Sequence, residues 1–252
     1  MAVSAGTLYF NPMSASRPPR PEGWAEAAEA RIIAAAIPLA DKLGWTGELV
    51  ERAARDARIT DADAELLLPH GPRDLAALLS RRHDAIAMQA LSGLEASHLK
   101  VRERIRCAVE ARVEAAAGDE KAVRKATGFL SLPFNLPLAA MLLWESADGL
   151  WRWAGDVSTD ENHYSKRALL ANILATTQAA RFAGGPEAAR KHLTRRIDQV
   201  MAFETWKAQL AKPMDNLKSL AETLGKVRYG ARDRAVAARE KLRAAHGEPP
   251  RK

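Results

Sequence analysis

With 252 residues, of which 47% are hydrophobic and 27% charged, the chain can bury a substantial core as one large domain or two small ones. Its single cysteine, Cys107, excludes an intramolecular disulfide and a cysteine-based zinc site, and no activating base accompanies it in the sequence, so an inert thiol is expected. The formal charge of +7 is concentrated at one end: residues 212–252 hold 11 Lys and Arg against 5 Asp and Glu, a net +6, which leaves the body close to neutral. Alanine is abundant, Gly and Pro gather at a few points, and no useful alternating stretch occurs, so the fold class is all-α.

Residues 1–22 contain Pro12, Pro18, Pro19 and Pro21 and no apolar run long enough for a signal peptide. They are read as a disordered segment. Arg17 and Arg20 precede the first acidic residue, as in a transit peptide, but the prolines oppose the amphipathic helix such a peptide needs. The first helix is predicted from about Trp24 to Leu43, with Ile32, Ile33, Ala36, Ile37, Ala40 and Leu43 inward, Pro38 bending it and Gly44 ending it. Short helices at about 47–57 and 61–68 flank a turn at Arg58-Ile59-Thr60, and Gly71-Pro72 opens a longer helix through Leu91.

This layout of residues 23–91 is that of a helix-turn-helix regulator of the TetR type. Its would-be recognition helix holds Asp61, Asp63 and Glu65 and no Lys or Arg, which opposes entry into a groove lined with phosphates. Specific nucleic-acid binding is therefore not expected, and the motif reads as structural.

A fifth helix is predicted at about 100–117, with Val101, Ile105, Val109 and Val113 on its apolar stripe and Cys107 opposite. A sixth runs from near Asp119 to about Leu130. No charged residue occurs between Ala126 and Trp144, but Pro133, Asn135 and Pro137 divide this stretch into pieces too short to span a bilayer. It reads as buried wall. If an apolar cavity exists, Phe129, Leu132, Phe134, Leu138, Met141 and Leu142 are its expected lining; an ordinary packed core explains the same residues.

The next helix places Ala140, Leu143, Trp144, Ala147, Leu150, Trp151 and Ala154 on one stripe, with Trp153 off it and Gly155 at the C-terminus. Ser158, Thr159 and Asp160 are candidate caps for the helix that follows. Beside this reading as a capped corner stands a second, in which Asp148, Trp153, Asp160, His163, Tyr164 and Arg167 form a recognition surface. Gly184-Gly185-Pro186 is a turn, so that two long antiparallel helices, at about 162–182 and 186–210, close the body. Ala168, Ala171, Ala175 and Ala179 would permit close approach in a four-helix dimer interface.

Beyond Lys212-Pro213, Met214, Leu217, Leu220, Ala221, Leu224 and Val227 recur at helical spacing, with Lys218, Lys226 and Arg228 on other faces, which makes a basic amphipathic helix. Membrane contact is expected through Met214, Leu217, Lys218, Leu220, Leu224, Lys226, Val227 and Arg228; a lid folded on the body is the alternative. No metal or catalytic constellation is found. Glu145 and Asp148 lie one turn apart, but no Glu-x-x-His pair accompanies them, and phosphate-loop, Gly-x-Ser-x-Gly and Rossmann patterns are lacking.

The run 154–168, AGDVSTDENHYSKRA, resembles the signature of the ubiquinone-biosynthesis accessory family known as COQ-nine. Residues 31–38, Leu43-Gly44-Trp45 and 71–75 resemble its N-terminal part, and the likeness covers roughly 31–210. The resemblance implies a TetR-like homodimer without DNA regulation, about nine helices in the body plus the amphipathic C-terminal helix, with residues 92–211 serving lipid binding and dimerisation and 212–252 the membrane. It implies a non-catalytic protein without cofactor or metal that binds an isoprenoid quinone precursor or other lipid. Such a protein presents the demethoxy intermediate to a ubiquinone-biosynthesis hydroxylase as a peripheral protein on the cytoplasmic face of a bacterial membrane. The partner-facing positions map onto Asp148, Leu150, Asp160, Asn162, His163, Tyr164 and Arg167. The chain departs from the family at His163, where tryptophan is usual, and at Ser165, where threonine is usual. The competing expectation is a ligand-responsive TetR-type transcriptional regulator.

Overall fold

Residues 21–156 and 163–200 are described by the structure, a computed structural model, and among them every regular element is helical. The expected membrane-contact residues Met214, Leu217, Lys218, Leu220, Leu224, Lys226, Val227 and Arg228 lie outside the described residues, as do Asp160, Asn162 and the candidate caps Ser158 and Thr159. The chain divides into two compact units, residues 1–193 and 194–252; the described part of the second, 194–200, is helical.

Seven helices precede the corner: α1 Trp24–Leu43, α2 Gly47–Asp56, α3 Asp61–Leu67, α4 Pro72–Ser92, α5 Val101–Ala117, α6 Glu120–Leu130 and α7 Leu136–Trp153. The sequence places the boundaries of α1 to α6 to within about a residue because the stop and start signals are local, whereas the start of α7 at Leu136 is not marked in it. Gly44 ends α1 at φ 68°, a conformation that a side chain resists. Thr46 and Thr60 accept hydrogen bonds from the free amides of Leu49 and Asp63 at the starts of α2 and α3. Pro38 lies inside α1 without ending it.

The N-terminal core gathers Ile32, Ile33 and Ala36 of α1, Leu49 and Ala53 of α2, Leu75 and Leu79 of α4, and Ala122 and Ala126 of α6. Ile37 and Leu43, expected inward, are only partly buried. The α2–α3 turn is pinned by buried Ile59, next to Arg58, whose φ of 58° is the one positive value among the described non-glycine residues. Trp45 is buried and donates from Nε1 to the carbonyl of Pro72 at 2.8 Å, tying the end of α1 to the start of α4.

Helix α4 packs against α1, α5 and α7 and is the central rod of the first unit. Of the stripe expected on α5, Ile105, Val109 and Val113 are buried, whereas Val101 is 55% exposed and Arg112 joins the buried face. The inward face of α7 is also rotated from expectation. Leu142, Ser146, Ala147 and Leu150 are buried, while Ala140 is exposed. Residues 163–200 are helical, and the part up to 184 is labelled α8. Gly185 has φ 73°, and the chain beyond it is still helical, with Pro186, Ala189 and Leu193 bordering the same surface depression as Thr177 of α8. Of the turn expected at Gly184-Gly185-Pro186, the structure shows one left-handed residue, Gly185, within a run that is helical from 163 to 200.

Trp45→Ala removes both a buried ring and the strap to Pro72, and is expected to cost about 3–5 kcal/mol in urea unfolding. Trp45→Phe, which loses mainly the hydrogen bond, should cost about 1 kcal/mol.

Candidate functional site

Helix α7 stops at Ala154, and Gly155 turns the chain with φ 89°. A side chain on Gly155 would meet the guanidinium of Arg104, which comes within 3.1 Å of the position of a Cβ while donating to the Ala154 carbonyl at 3.1 Å. Where the chain returns, Arg167 of α8 is only 2% exposed. Its Nε donates to Asp148 Oδ1 on α7, and its Nη1 donates to Asp156 Oδ2 at 3.1 Å and to the His163 carbonyl at 3.2 Å. Lys166 Nζ donates to the other oxygen of Asp156 at 2.8 Å, and Trp151 Nε1 donates to the Lys166 carbonyl at 2.9 Å. This ion cluster clamps α8 to α7.

The expected partner surface therefore separates into two layers. Tyr164 is 64% exposed, with its ring 6.0 Å from Trp144 and 5.2 Å, edge-on, from His163. Asp148 is partly exposed and also pairs with Arg152 at 2.8 Å. Leu150 and Arg167, by contrast, are buried. In this conformation both support the surface from beneath and neither presents its side chain to a partner, which corrects the sequence expectation for these two. The reason is that Arg167 finds two carboxylates close by in the fold, and a buried guanidinium with two carboxylate partners is satisfied without water.

Beside the clamp, α4, α5, α6, α7 and α8 enclose a cavity of about 280 Å³. Leu79, Ala116, Val123, Leu142, Leu143 and Leu174 are among the residues of its apolar wall. Of the six side chains expected to line a cavity, only Leu142 does so. Phe129 packs partly buried against the N-terminal core, and Leu138 is half-buried. Leu132, Phe134 and Met141 point outward, 41%, 64% and 45% exposed. The error has the same origin as the rotation of α7: a segment without charges carries no mark of which side faces water. Ala175 and Ala179, candidates for a dimer seam, border this cavity.

The polar groups of the cavity lie mainly on α4 and α5. Arg112 Nε donates to Asp84, and its Nη2 lies 3.3 Å from both the carbonyl and the hydroxyl oxygen of Ser80. Ser146 Oγ donates to Asp84 at 2.7 Å, so one carboxylate joins three helices. His83 is 1% exposed and its Nε2 lies 3.0 Å from Asp119 Oδ2. Burial pushes the His83 pKa below its ordinary value, against the pull of the Asp119 hydrogen bond. Gln178 differs from these groups. Its buried Nε2 has no hydrogen-bond partner in the protein, although it borders the cavity.

Sequence reading missed Ser80, His83, Arg112 and Gln178. A signal was present for Arg112, a charged residue one turn from Val109 and Ala116 on an otherwise apolar face. Chemically, the arrangement offers an apolar recess with satisfied charges behind its wall and one unused amide donor. Among the described residues, no group of three or more His, Cys, Asp and Glu side chains is placed to hold a metal ion. Glu145 and Asp148 engage separate arginines, Arg81 at 3.2 Å and Arg167.

Arg167→Ala takes the buried cation from two carboxylates, leaving Asp148 to Arg152 and Asp156 to Lys166, and is expected to lower stability by about 1–3 kcal/mol in urea unfolding. His83 has the sign of a buried neutral base. Its folded pKa is depressed, so the unfolded chain takes up the proton first, and stability falls as pH drops below about 6.5 toward the folded pKa. His83→Gln should remove that portion of the acid destabilisation, measured as urea midpoints between pH 7 and pH 5.

Comparison with known proteins shows what these features resemble. Residues 136–204 match the family model COQ9. The human protein named "Ubiquinone biosynthesis protein COQ9, mitochondrial" is 30% identical over 154 residues, covering 59% of this chain and 48% of that protein. The Xenopus tropicalis protein of the same name is 28% identical over 195 residues, 74% of this chain and 62% of that protein. The Xenopus laevis protein COQ9-A is 28% identical over 226 residues, 84% of this chain and 66% of that protein. The chain spans about half the length of the mammalian relatives it matches. The likeness read in the sequence is thereby shown: the chain is similar to COQ9 proteins, and the family model falls on residues 136–204, which supply α7, the Arg167 clamp and the α8 wall of the cavity.

Proposed function

We propose that this chain is a non-catalytic accessory protein of ubiquinone biosynthesis that holds an isoprenoid quinone precursor in the cavity between α4 and α8 and presents it to a demethoxyubiquinone hydroxylase. Its similarity to proteins named for ubiquinone biosynthesis supports the pathway. The observation that carries the ligand class is the cavity itself, apolar around most of its wall, with the unpartnered Gln178 amide as a donor for a ring oxygen. Pockets for drug-sized ligands span roughly 300–1,000 Å³. At about 280 Å³ this one takes a substituted ring or a few isoprene units, and a longer tail leaves through the mouth.

The hydroxylase surface is proposed around exposed Tyr164 with Trp144 and His163, an aromatic group of the kind that anchors interfaces, flanked by the partly exposed Asp148. The resemblance adds Asp160 and Asn162, which lie outside the described residues, to the proposed partner positions. The protein acts as a homodimer, peripheral on the cytoplasmic face of a bacterial membrane, with residues 212–252 supplying a basic amphipathic contact. The regulator reading is disfavoured by α3, seven residues long with Asp61, Asp63 and Glu65 and no cation.

Mass spectrometry of an organic extract of protein purified without detergent from a quinone-producing host tests the carrier role. A prenylated quinone precursor at about one per chain is expected, and recovery of bulk phospholipid alone would overturn it. Gln178→Leu should reduce retention of the oxygenated ring about three- to tenfold, the worth of one hydrogen bond, with the fold unchanged by circular dichroism.

A further inference from the structure

We propose that the corner between α6 and α7 is a second membrane contact, one that inserts into the interface of an anionic bilayer and opens the cavity directly to the lipid. The proposal rests on the carrier reading only for its purpose, since the insertion itself is a property of the corner.

The chain bends by 99° between Glu120–Leu130 and Pro133–Trp153, within a stretch that has no charged residue from Ala126 to Trp144. Of the nine large hydrophobic side chains exposed among the described residues, four, Leu132, Phe134, Leu136 and Met141, fall within ten residues at this bend. Elsewhere such residues occur singly, as expected of any soluble surface; four together, with an aromatic ring at the most exposed position, mark a contact site.

The apex is built to stand outward. Asn135 is fully buried beneath it and donates from Nδ2 to the Phe129 carbonyl at 2.9 Å, its backbone amide donates to the Leu132 carbonyl at 2.8 Å, and Ser131 Oγ donates to the Gly128 carbonyl at 2.7 Å. These bonds satisfy part of the turn's polarity internally, which entry into an apolar phase requires. The same place is the mouth of the cavity: Thr127, Ser131 and Leu136 border the cavity and are themselves exposed.

A bilayer fits this surface better than a protein does. A protein interface sets its register with polar groups around an apolar centre, and here neither the apex nor the start of α7 offers a charge. What lies beside the apex is cationic. Lys125, one and a half turns before the bend, is exposed, and the Lys121 side chain is 80% exposed while it pairs with Asp41 at 3.2 Å. An apolar tip with lysines set back by roughly one and a half to three turns matches the depth profile of an interface with acidic headgroups.

The test uses the full chain carrying Cys107→Ser and Leu132→Cys, labelled at position 132 with an environment-sensitive fluorophore, and vesicles of phosphatidylcholine with 30% phosphatidylglycerol. Vesicles should blue-shift the emission, and nitroxide-labelled lipid should quench it. The same label at Leu66→Cys, another exposed apolar position on α3, should not respond. Phe134→Ser should weaken vesicle binding about tenfold or more. Co-sedimentation without any response at position 132 would assign binding to another segment and overturn the proposal, as would absence of vesicle binding. A response that depends on protein concentration without vesicles would assign the corner to a second copy of the chain. Cargo recovered by extraction without insertion at position 132 sinks this inference alone, and insertion with an empty cavity sinks the carrier reading alone.

Discussion

The guanidinium of Arg167, buried between Asp148 and Asp156, is the interaction on which the site depends. A charge removed from water needs partners on every side, and this one finds two carboxylates and a carbonyl. The requirement fixes more than a distance. It sets how α8 starts relative to α7, hence which residues of α8 face α4 and α5. At the other end, Arg124 of α6 donates to the Phe182 carbonyl at 2.6 Å and lies 4.5 Å above that ring. Pinned at both ends, α8 can stand away from the apolar faces between without losing its place, and the cavity occupies that space.

The wall opposite α8 is stiffened in the same way. Asp84 joins α4, α5 and α7 through Arg112 and Ser146, and His83 joins α4 to Asp119 ahead of α6. Groups already paired within the protein offer little to a passing ion. The Gln178 amide keeps its hydrogen-bonding capacity for whatever enters. Charge thus shapes the recess, and an uncharged donor is left to recognise its contents. This is economical for an uncharged, oxygenated ligand with an apolar tail, because neither the ligand nor the wall must surrender a hydrated charge.

The outward face of the α6–α7 corner follows from this packing. Once Leu142, Ser146 and Leu150 are committed to the interior, Leu132, Phe134 and Met141 must point the other way. A chain folding alone in water gains nothing from that placement. A chain that meets a second apolar phase gains from every one of these residues, and the cavity mouth lies at the same corner. Tyr164, near the clamp, is likewise apolar area left uncovered, but its phenol and the neighbouring Asp148 suit a protein surface better than a lipid one.

Much of this molecule is local and was legible in the residues. Gly44, Thr46, Thr60, Gly71-Pro72 and Gly155 act on their own neighbours, so helix boundaries and the all-α class follow from sequence alone, and the signature around 154–168 is contiguous. What tertiary structure decided is what depends on remote partners or on the absence of contrast. Arg167 and Arg112 look like surface residues until Asp148, 19 positions away, and Asp84, 28 positions away, are brought beside them. The cavity draws a few residues from each of five helices, and no one helix signals it. From Ala126 to Trp144 the lack of any charged side chain erases the amphipathic pattern by which a helix declares its inner face. There the sequence determined that the segment is apolar and bent, and only the packing of α4, α5 and α8 around it determined which side faces the core and which is left for a membrane.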